Sequence, residues 1–173
     1  MKRAAAVALA LLVTAGSAGA QPAVGEMVLP VRPACVSSPF GNRPAPGPHA
    51  IGFHRGIDLP AAAGAAIYAV ADGQVIGIHR RGPGGLELLI AHSGAAGRYV
   101  SVYAHLGAVA PVLAQGRTAV RAGERIGVVG RSGVIYGTHL YFELMVGGQP
   151  VDPAPYFPVS ACVKTSQIHA RGG

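Results

Sequence analysis

The sequence predicts an all-β, mainly antiparallel fold: a single-domain β-sandwich or open barrel with a narrow groove and long loops. Three observations carry that prediction. The 173 residues include 26 Gly and 14 Pro but no Trp. Gly-rich turns cut the chain into short apolar runs, some alternating apolar with polar residues as a half-buried strand does. Between Gly41 and Pro155 no stretch has a convincing helical period.

Ala66 to Val70 reads as a strand, Asp72-Gly73 as a tight turn, and Gln74 to His79 as the strand returning from it. Leu86 to His92 is a further apolar run. From Arg98 to His105 the residues Tyr99, Ser101, Tyr103 and His105 share one face, and Val100, Val102 and Ala104 the other. Arg125 to Val129 and His139 to Val146 complete the set. On the last strand His139 and Tyr141 project to one face, while Leu140 and Phe142 project into the core. Pro44 to Gly52 and Gly130 to Thr138 read as loops, and the tail after Ala161 as frayed.

The chain opens with the three-part layout of a secretory signal peptide. Met1-Lys2-Arg3 is basic, Ala4 to Ala15 is almost continuously apolar, and Ala18-Gly19-Ala20 is a small-x-small cleavage site before Gln21. The apolar run falls short of the about 18–20 residues a membrane span needs, and no Cys sits at the cleavage site to carry a lipid. The expected organisation is a signal peptide over 1–20, an N-terminal extension over 21–37, one domain over 38–158 and a C-terminal tail over 159–173. The 153 residues left after cleavage suffice for one core, and none of their apolar runs would span a membrane.

Those 153 residues carry twelve cations against seven anions. Eleven of the cations are Arg, and Lys164 is the remaining one. Such a balance suits an anionic partner such as cell wall or a membrane surface, and equally plain solubility. The Arg residues are scattered and no basic recognition helix is visible, which argues against nucleic acid. Cys35 and Cys162 lie near the two ends of the mature chain. In an oxidising compartment a disulfide joining the ends is the expected pairing, with a stabilisation of at most about 4–5 kcal/mol.

Four short motifs carry the chemistry. His54-Arg55-Gly56-Ile57-Asp58 sets a His and an Asp four residues apart. Tyr103-Ala104-His105-Leu106 adds a second His, and Gly137-Thr138-His139-Leu140-Tyr141-Phe142-Glu143 a third. Ser38-Pro39-Phe40-Gly41-Asn42-Arg43 is a turn leading towards the first. Each alone has a bland reading, as a turn-capping pair or a strand histidine. Their order and spacing together are far more specific.

From about Ser38 to Phe157 the chain resembles the lysostaphin/LytM-type zinc peptidases. Phe40-Gly41-Asn42-Arg43, His54-Arg55-Gly56-Ile57-Asp58-Leu59-Pro60, Ala69-Val70-Ala71-Asp72-Gly73-Gln74-Val75 and Tyr103-Ala104-His105-Leu106 carry the likeness. So do Val120 to Gly127, Gly130-Arg131-Ser132-Gly133 and Val151-Asp152-Pro153. The resemblance implies a LytM-like fold and an exported zinc metalloendopeptidase acting on the peptide part of peptidoglycan. Its metal ligands would be His54, Asp58 and the residue at position 141, the fourth zinc position being left to water. His105 and His139 would be the catalytic pair that orients or deprotonates that water and stabilises the oxyanion.

One position departs from the pattern. The family reads His-Leu-His where this chain reads His139-Leu140-Tyr141. A neutral phenol is a poor zinc ligand, its unperturbed pKa being near ~10. Tyr141 as a phenolate ligand, water or another His in its place, or a groove that only recognises are the three outcomes. His49 is the best substitute His; His79, His92 and His169 read as surface, structural and tail residues.

Two functions of different class follow. One is the zinc endopeptidase, impaired to the extent that Tyr141 fails as a ligand. The other is a non-catalytic LytM-like module that binds cell wall or regulates another wall hydrolase, such as an amidase. The signal peptide and the resemblance together imply export from a bacterium, to the periplasm or beyond the cell; the expected disulfide and the absence of a wall-sorting tail favour the periplasm, and a monomer is expected. Val120 to Gly130 also resembles the turns of lipoyl and biotinyl carrier domains, but the carrier Lys is lacking.

Overall fold

A computed structural model of the protein describes residues 27–45, 47, 52–95 and 97–163. The segment 1–20 expected to be a signal peptide, His49, Lys164 and His169 lie outside the described residues. Twelve described strands run β1 (Gly41–Asn42), β2 (Phe53–His54), β3 (Ile57–Pro60), β4 (Ala66–Tyr68), β5 (Gly73–His79) and β6 (Glu87–Gly94). They continue as β7 (Gly97–Ala104), β8 (Leu106–Val109), β9 (Ala119–Val120), β10 (Arg125–Val129), β11 (His139–Val146) and β12 (Gln149–Val151). One helical turn, α1 (Pro111–Ala114), follows β8, and a 3₁₀ turn spans Ala154–Tyr156.

The all-β expectation holds, and every pairing between these strands is antiparallel. The larger sheet has the order β12-β11-β7-β6-β5-β9, with β3 also paired to β11. A second sheet has the order β4-β10-β8, and β1 pairs with β2. The apolar faces meet in one core that includes Ile57, Leu59, Ile67, Leu88, Ile126 and Phe142, all fully buried. The helical turn escapes a periodicity reading because it is one turn long; its Leu113 is buried.

One expected hairpin does not form. Asp72-Gly73 does not fold Ala66–Val70 back onto Gln74–His79. Instead β4 pairs with β10, while β5 pairs with β6 and β9. The Asp72 carboxylate accepts a hydrogen bond from the Ala122 amide, and its carbonyl oxygen accepts one from His92 Nδ1. These turn residues therefore carry the chain from one sheet to the other.

Alternation on β11 is as expected. Leu140, Phe142 and Leu144 are fully buried in the core, while His139 and Tyr141 are half-buried on the opposite face. Glu143 shares that opposite face and is buried. The strand β7 ends at Ala104, so His105 is not the last residue of its alternating face. His105 has a φ of 63°, the one positive φ among described non-glycine residues. Its amide donates to the Gly84 carbonyl and its own carbonyl accepts from the Gly130 amide, so both neighbours fix that turn.

Cys35 and Cys162 form the expected disulfide, with a Cα–Cα distance of 4.9 Å. Beside it Val36 and Ala161 form a parallel bridge. Among the described residues no helix is long and apolar enough to cross a membrane.

Candidate functional site

Strands β3 and β11 lie side by side, with Asp58 opposite Tyr141 and Leu59 opposite Leu140. This register sets the H-x-x-x-D motif against the H-x-Y strand. Gly56 makes the approach possible: a Cβ there would collide with the Phe142 carbonyl and press on the Tyr141 ring. The segment leading to Asp58 can therefore lie against β11 only with hydrogen at this position.

His54, Asp58 and His139 converge. His54 Nε2 is 3.2 Å and His139 Nε2 3.3 Å from the same oxygen, Asp58 Oδ1. The other oxygen, Oδ2, faces Arg43 at 3.5 Å, and Arg43 also donates to the Ser38 hydroxyl. Burial opposes the charge on Asp58. The hydrogen bond from His54, then the charges of His139, His54 and Arg43, outweigh it and hold the carboxyl below its ordinary value.

All three groove histidines are oriented in one way. His54 Nδ1 donates to the Pro39 carbonyl at 2.8 Å, His105 Nδ1 to the Ser132 carbonyl at 2.9 Å, and His139 Nδ1 to the Gly137 carbonyl at 2.8 Å. A carbonyl only accepts, so each Nδ1 carries the proton and each Nε2 of a neutral ring presents a lone pair. His54 and His139 thus donate to Asp58 only when doubly protonated. The His105 ring stands edge-on to His139, with centroids 5.0 Å apart. Burial above all lowers the pKa of His105, and the neighbouring His139 adds to this against the pull of Ser132 and Asp58. The shift favours the neutral ring of His105.

Tyr141 belongs to the same face but joins a different set. Its ring packs 5.4 Å from that of His54, while its hydroxyl donates to Glu143 at 2.7 Å. Arg55 pairs with the other Glu143 oxygen at 3.2 Å. Burial first, then the charge and hydrogen bond of Glu143, push the phenol far above its ordinary pKa. A phenolate ligand needs the reverse. Among the described residues no three His, Cys, Asp or Glu side chains are disposed to hold one metal ion. His54 and Asp58 offer two donors, and the third position offers a protonated phenol committed elsewhere. Tyr141 as it stands therefore does not complete the three-ligand zinc set that the resemblance assigns.

The structure thus brings His54, Asp58, His105 and His139 together and commits the Tyr141 hydroxyl to Glu143. Glu143 and Arg55 are partners the motif reading did not single out. The signal was available, because Glu143 continues the period-2 face of His139 and Tyr141. His92 is buried against Ser101 and stacked on Tyr99, and His79 sits at the surface near Glu87.

Peptidase family M23 matches residues 52–153, from the residue before β2 to the residue before the 3₁₀ turn. The chain belongs to peptidase family M23. That bears out the lysostaphin/LytM-type resemblance and the metallopeptidase ancestry. A DD-carboxypeptidase/endopeptidase Mpg from Neisseria meningitidis is 42% identical over 133 residues, 77% of this chain and 28% of the relative. The murein hydrolase activator NlpD of Escherichia coli is 37% identical over 109 residues, 62% of this chain and 27% of the relative. A zinc-containing peptidase from Vibrio cholerae superposes with a TM-score of 0.61 at 31% identity, covering 71% of this chain and 37% of that one. This M23 chain therefore spans about a quarter to two fifths of the length of these relatives.

Proposed function

We propose that this M23 chain is an exported, periplasmic module whose groove holds the peptide part of peptidoglycan by recognition, without the family's three-ligand zinc. It would act by binding wall or by regulating another wall hydrolase. One observation carries the proposal: the Tyr141 hydroxyl is spent on Glu143, which Arg55 holds from the other side. The likeness to a murein hydrolase activator is consistent with this use of the fold. The groove supplies what peptide recognition needs: a carboxylate at Asp58, ring nitrogens at His105 and His139, and guanidinium groups at Arg43 and Arg55.

A zinc endopeptidase is the second reading, favoured by a different observation. His54, His105 and His139 all have Nδ1 tied to a backbone carbonyl, the orientation in which Nε2 serves as a ligand or a base. His54 and Asp58 would be its ligands, and His105 and His139 its catalytic groups.

Zinc content and peptidoglycan digestion, measured side by side on wild type and Tyr141→His, separate the two. The recognition module predicts wild type that pulls down peptidoglycan, holds well below one zinc per chain and releases no peptide. Tyr141→His would raise zinc content by restoring a nitrogen donor. Stoichiometric zinc in wild type, lost in His54→Ala, together with peptide release would overturn the recognition reading in favour of the enzyme.

A further inference from the structure

The segment from Ala34 to Pro39 connects the disulfide to the groove. On one side Cys35 is bonded to Cys162, the Val36 amide donates to the Ser160 carbonyl, and the Cys162 amide donates to the Val36 carbonyl. On the other side Ser38 and Asp58 form an antiparallel bridge. The Ser37 amide donates to the Asp58 carbonyl, and the Asp58 amide donates to the Ser38 carbonyl, each at 3.0 Å. Ser38 also receives Arg43, which faces Asp58 Oδ2, and the Pro39 carbonyl fixes the His54 ring. Both of the site's outer anchors therefore lie within four residues of Cys35. Cys35 and Cys162 are both partly exposed, so a reductant can reach them.

From this connection we infer that Cys35–Cys162 is a redox clamp on the groove: oxidised, it fixes His54 and Asp58 for ligand; reduced, it releases them while the sheets stay folded. Reduction by a dithiol breaks the S–S bond. Two electrons and two protons pass to the cysteines, and the dithiol becomes a disulfide. The strip from Ser160 to Cys162 then keeps only its backbone bonds to Val36, and a short strip of that kind opens locally at small cost. With the strip open, Ser38 and Pro39 rest on the two backbone bonds to Asp58 and on the packing of Ala34 and Val36 against the core, so the carbonyl that orients His54 and the hydroxyl that steers Arg43 lose their outer anchor. The central strands have no bond to this segment and stay as they are. The clamp concerns the groove whose use is proposed above, but its first readout needs no ligand.

The test uses the full chain, oxidised, dithiol-reduced, and as Cys35→Ser/Cys162→Ser, well below the unfolding temperature. Amide exchange at Asp58 should accelerate roughly tenfold or more on reduction and in the double variant. Exchange at Leu89 and Val102, in the middle of the larger sheet, should stay within about twofold. The Nδ1–H signal of His54 should broaden or vanish with the same treatment, while that of His92 persists. Affinity for a soluble tetrapeptide muropeptide should fall roughly tenfold, the scale on which outer-shell partners act.

Equal Asp58 exchange in the oxidised and reduced chains would overturn the clamp. So would acceleration spread evenly over Leu89 and Val102, since the disulfide would then support the fold as a whole. Should the double variant fail to fold, the reduced wild-type chain gives the same comparison. If exchange responds as expected but muropeptide binds neither form, the clamp stands and the recognition function fails.

Discussion

His139 and Tyr141 stand two residues apart on the same face of β11, yet they belong to different chemistry. His139 turns its Nε2 to a carboxylate it shares with His54, in a cluster whose rings are all held from behind by carbonyls. Tyr141 closes a set of its own with Glu143 and Arg55. The first set is open to a ligand: its acceptor atoms face one another and are completed by a proton or by something bound. In the second set the Tyr141 hydroxyl and both Glu143 oxygens already have partners. A register that places both sets correctly therefore does not by itself decide that both act on substrate.

Gly56→Ala tests whether the register is what holds the two sets in line. The added Cβ meets the Phe142 backbone, which cannot give way as a side chain would. A loss of about 3 kcal/mol in urea unfolding is expected. Unchanged stability would show that β3 tolerates a shift relative to β11.

Glu143→Ala should cost about 2 kcal/mol, because it removes a buried carboxylate and leaves the half-buried Tyr141 hydroxyl without its acceptor. Arg55 adds little, being half exposed. The phenol pKa should fall, since the charge and hydrogen bond that raise it are gone. Ultraviolet titration of the tyrosines in wild type and variant reads this directly. Tyr141→Phe should be milder, near 1 kcal/mol, as it removes one hydrogen bond and leaves Glu143 paired. Equal costs for the two changes would mean that the set is not closed in the way described.

Histidine away from the groove gives a contrast in pH response. Burial first lowers the pKa of His92 below its ordinary 6.5, against the Asp72 carbonyl and charge. A depressed histidine means that the unfolded chain binds the extra proton more readily. The stability it contributes is intact above pH 6.5, and is lost as pH falls through 6.5 towards the folded value. His105, also lowered by burial, adds to the same acid-side loss. Melting temperature should therefore drop below pH 6.5, and His92→Gln should flatten part of that slope. The smallest effect belongs to the surface: Arg117→Ala, which loses the pair with Glu124, should stay within about 0.5 kcal/mol of wild type.

Strands long enough to show alternation were legible from residues alone: β5, β6, β7, β10 and β11 fall where the pattern of short apolar runs puts them. The two-residue pieces β1, β2 and β9 were not, because they exist only through their partners. Asp72-Gly73 looked like a hairpin because turn residues signal a reversal, not which sheet receives the chain. Within the site, the side-chain types and their faces could be read in advance. What Tyr141 does with its hydroxyl could not, since that depends on Glu143 and on Arg55 reaching across from the β2–β3 turn. The left-handed turn at His105 was equally out of reach, as its cause lies in the amides and carbonyls of Gly84 and Gly130.

The split character of β11 has an evolutionary corollary. Its inner residues, Leu140, Phe142 and Leu144, are fully buried and secure the sheet. Its outer residues contribute less, about 1–2 kcal/mol at Tyr141 and Glu143, so a side chain there can be exchanged while the chain still folds. A strand arranged in this way lets an inherited scaffold be reassigned to another task before anything else in the molecule changes.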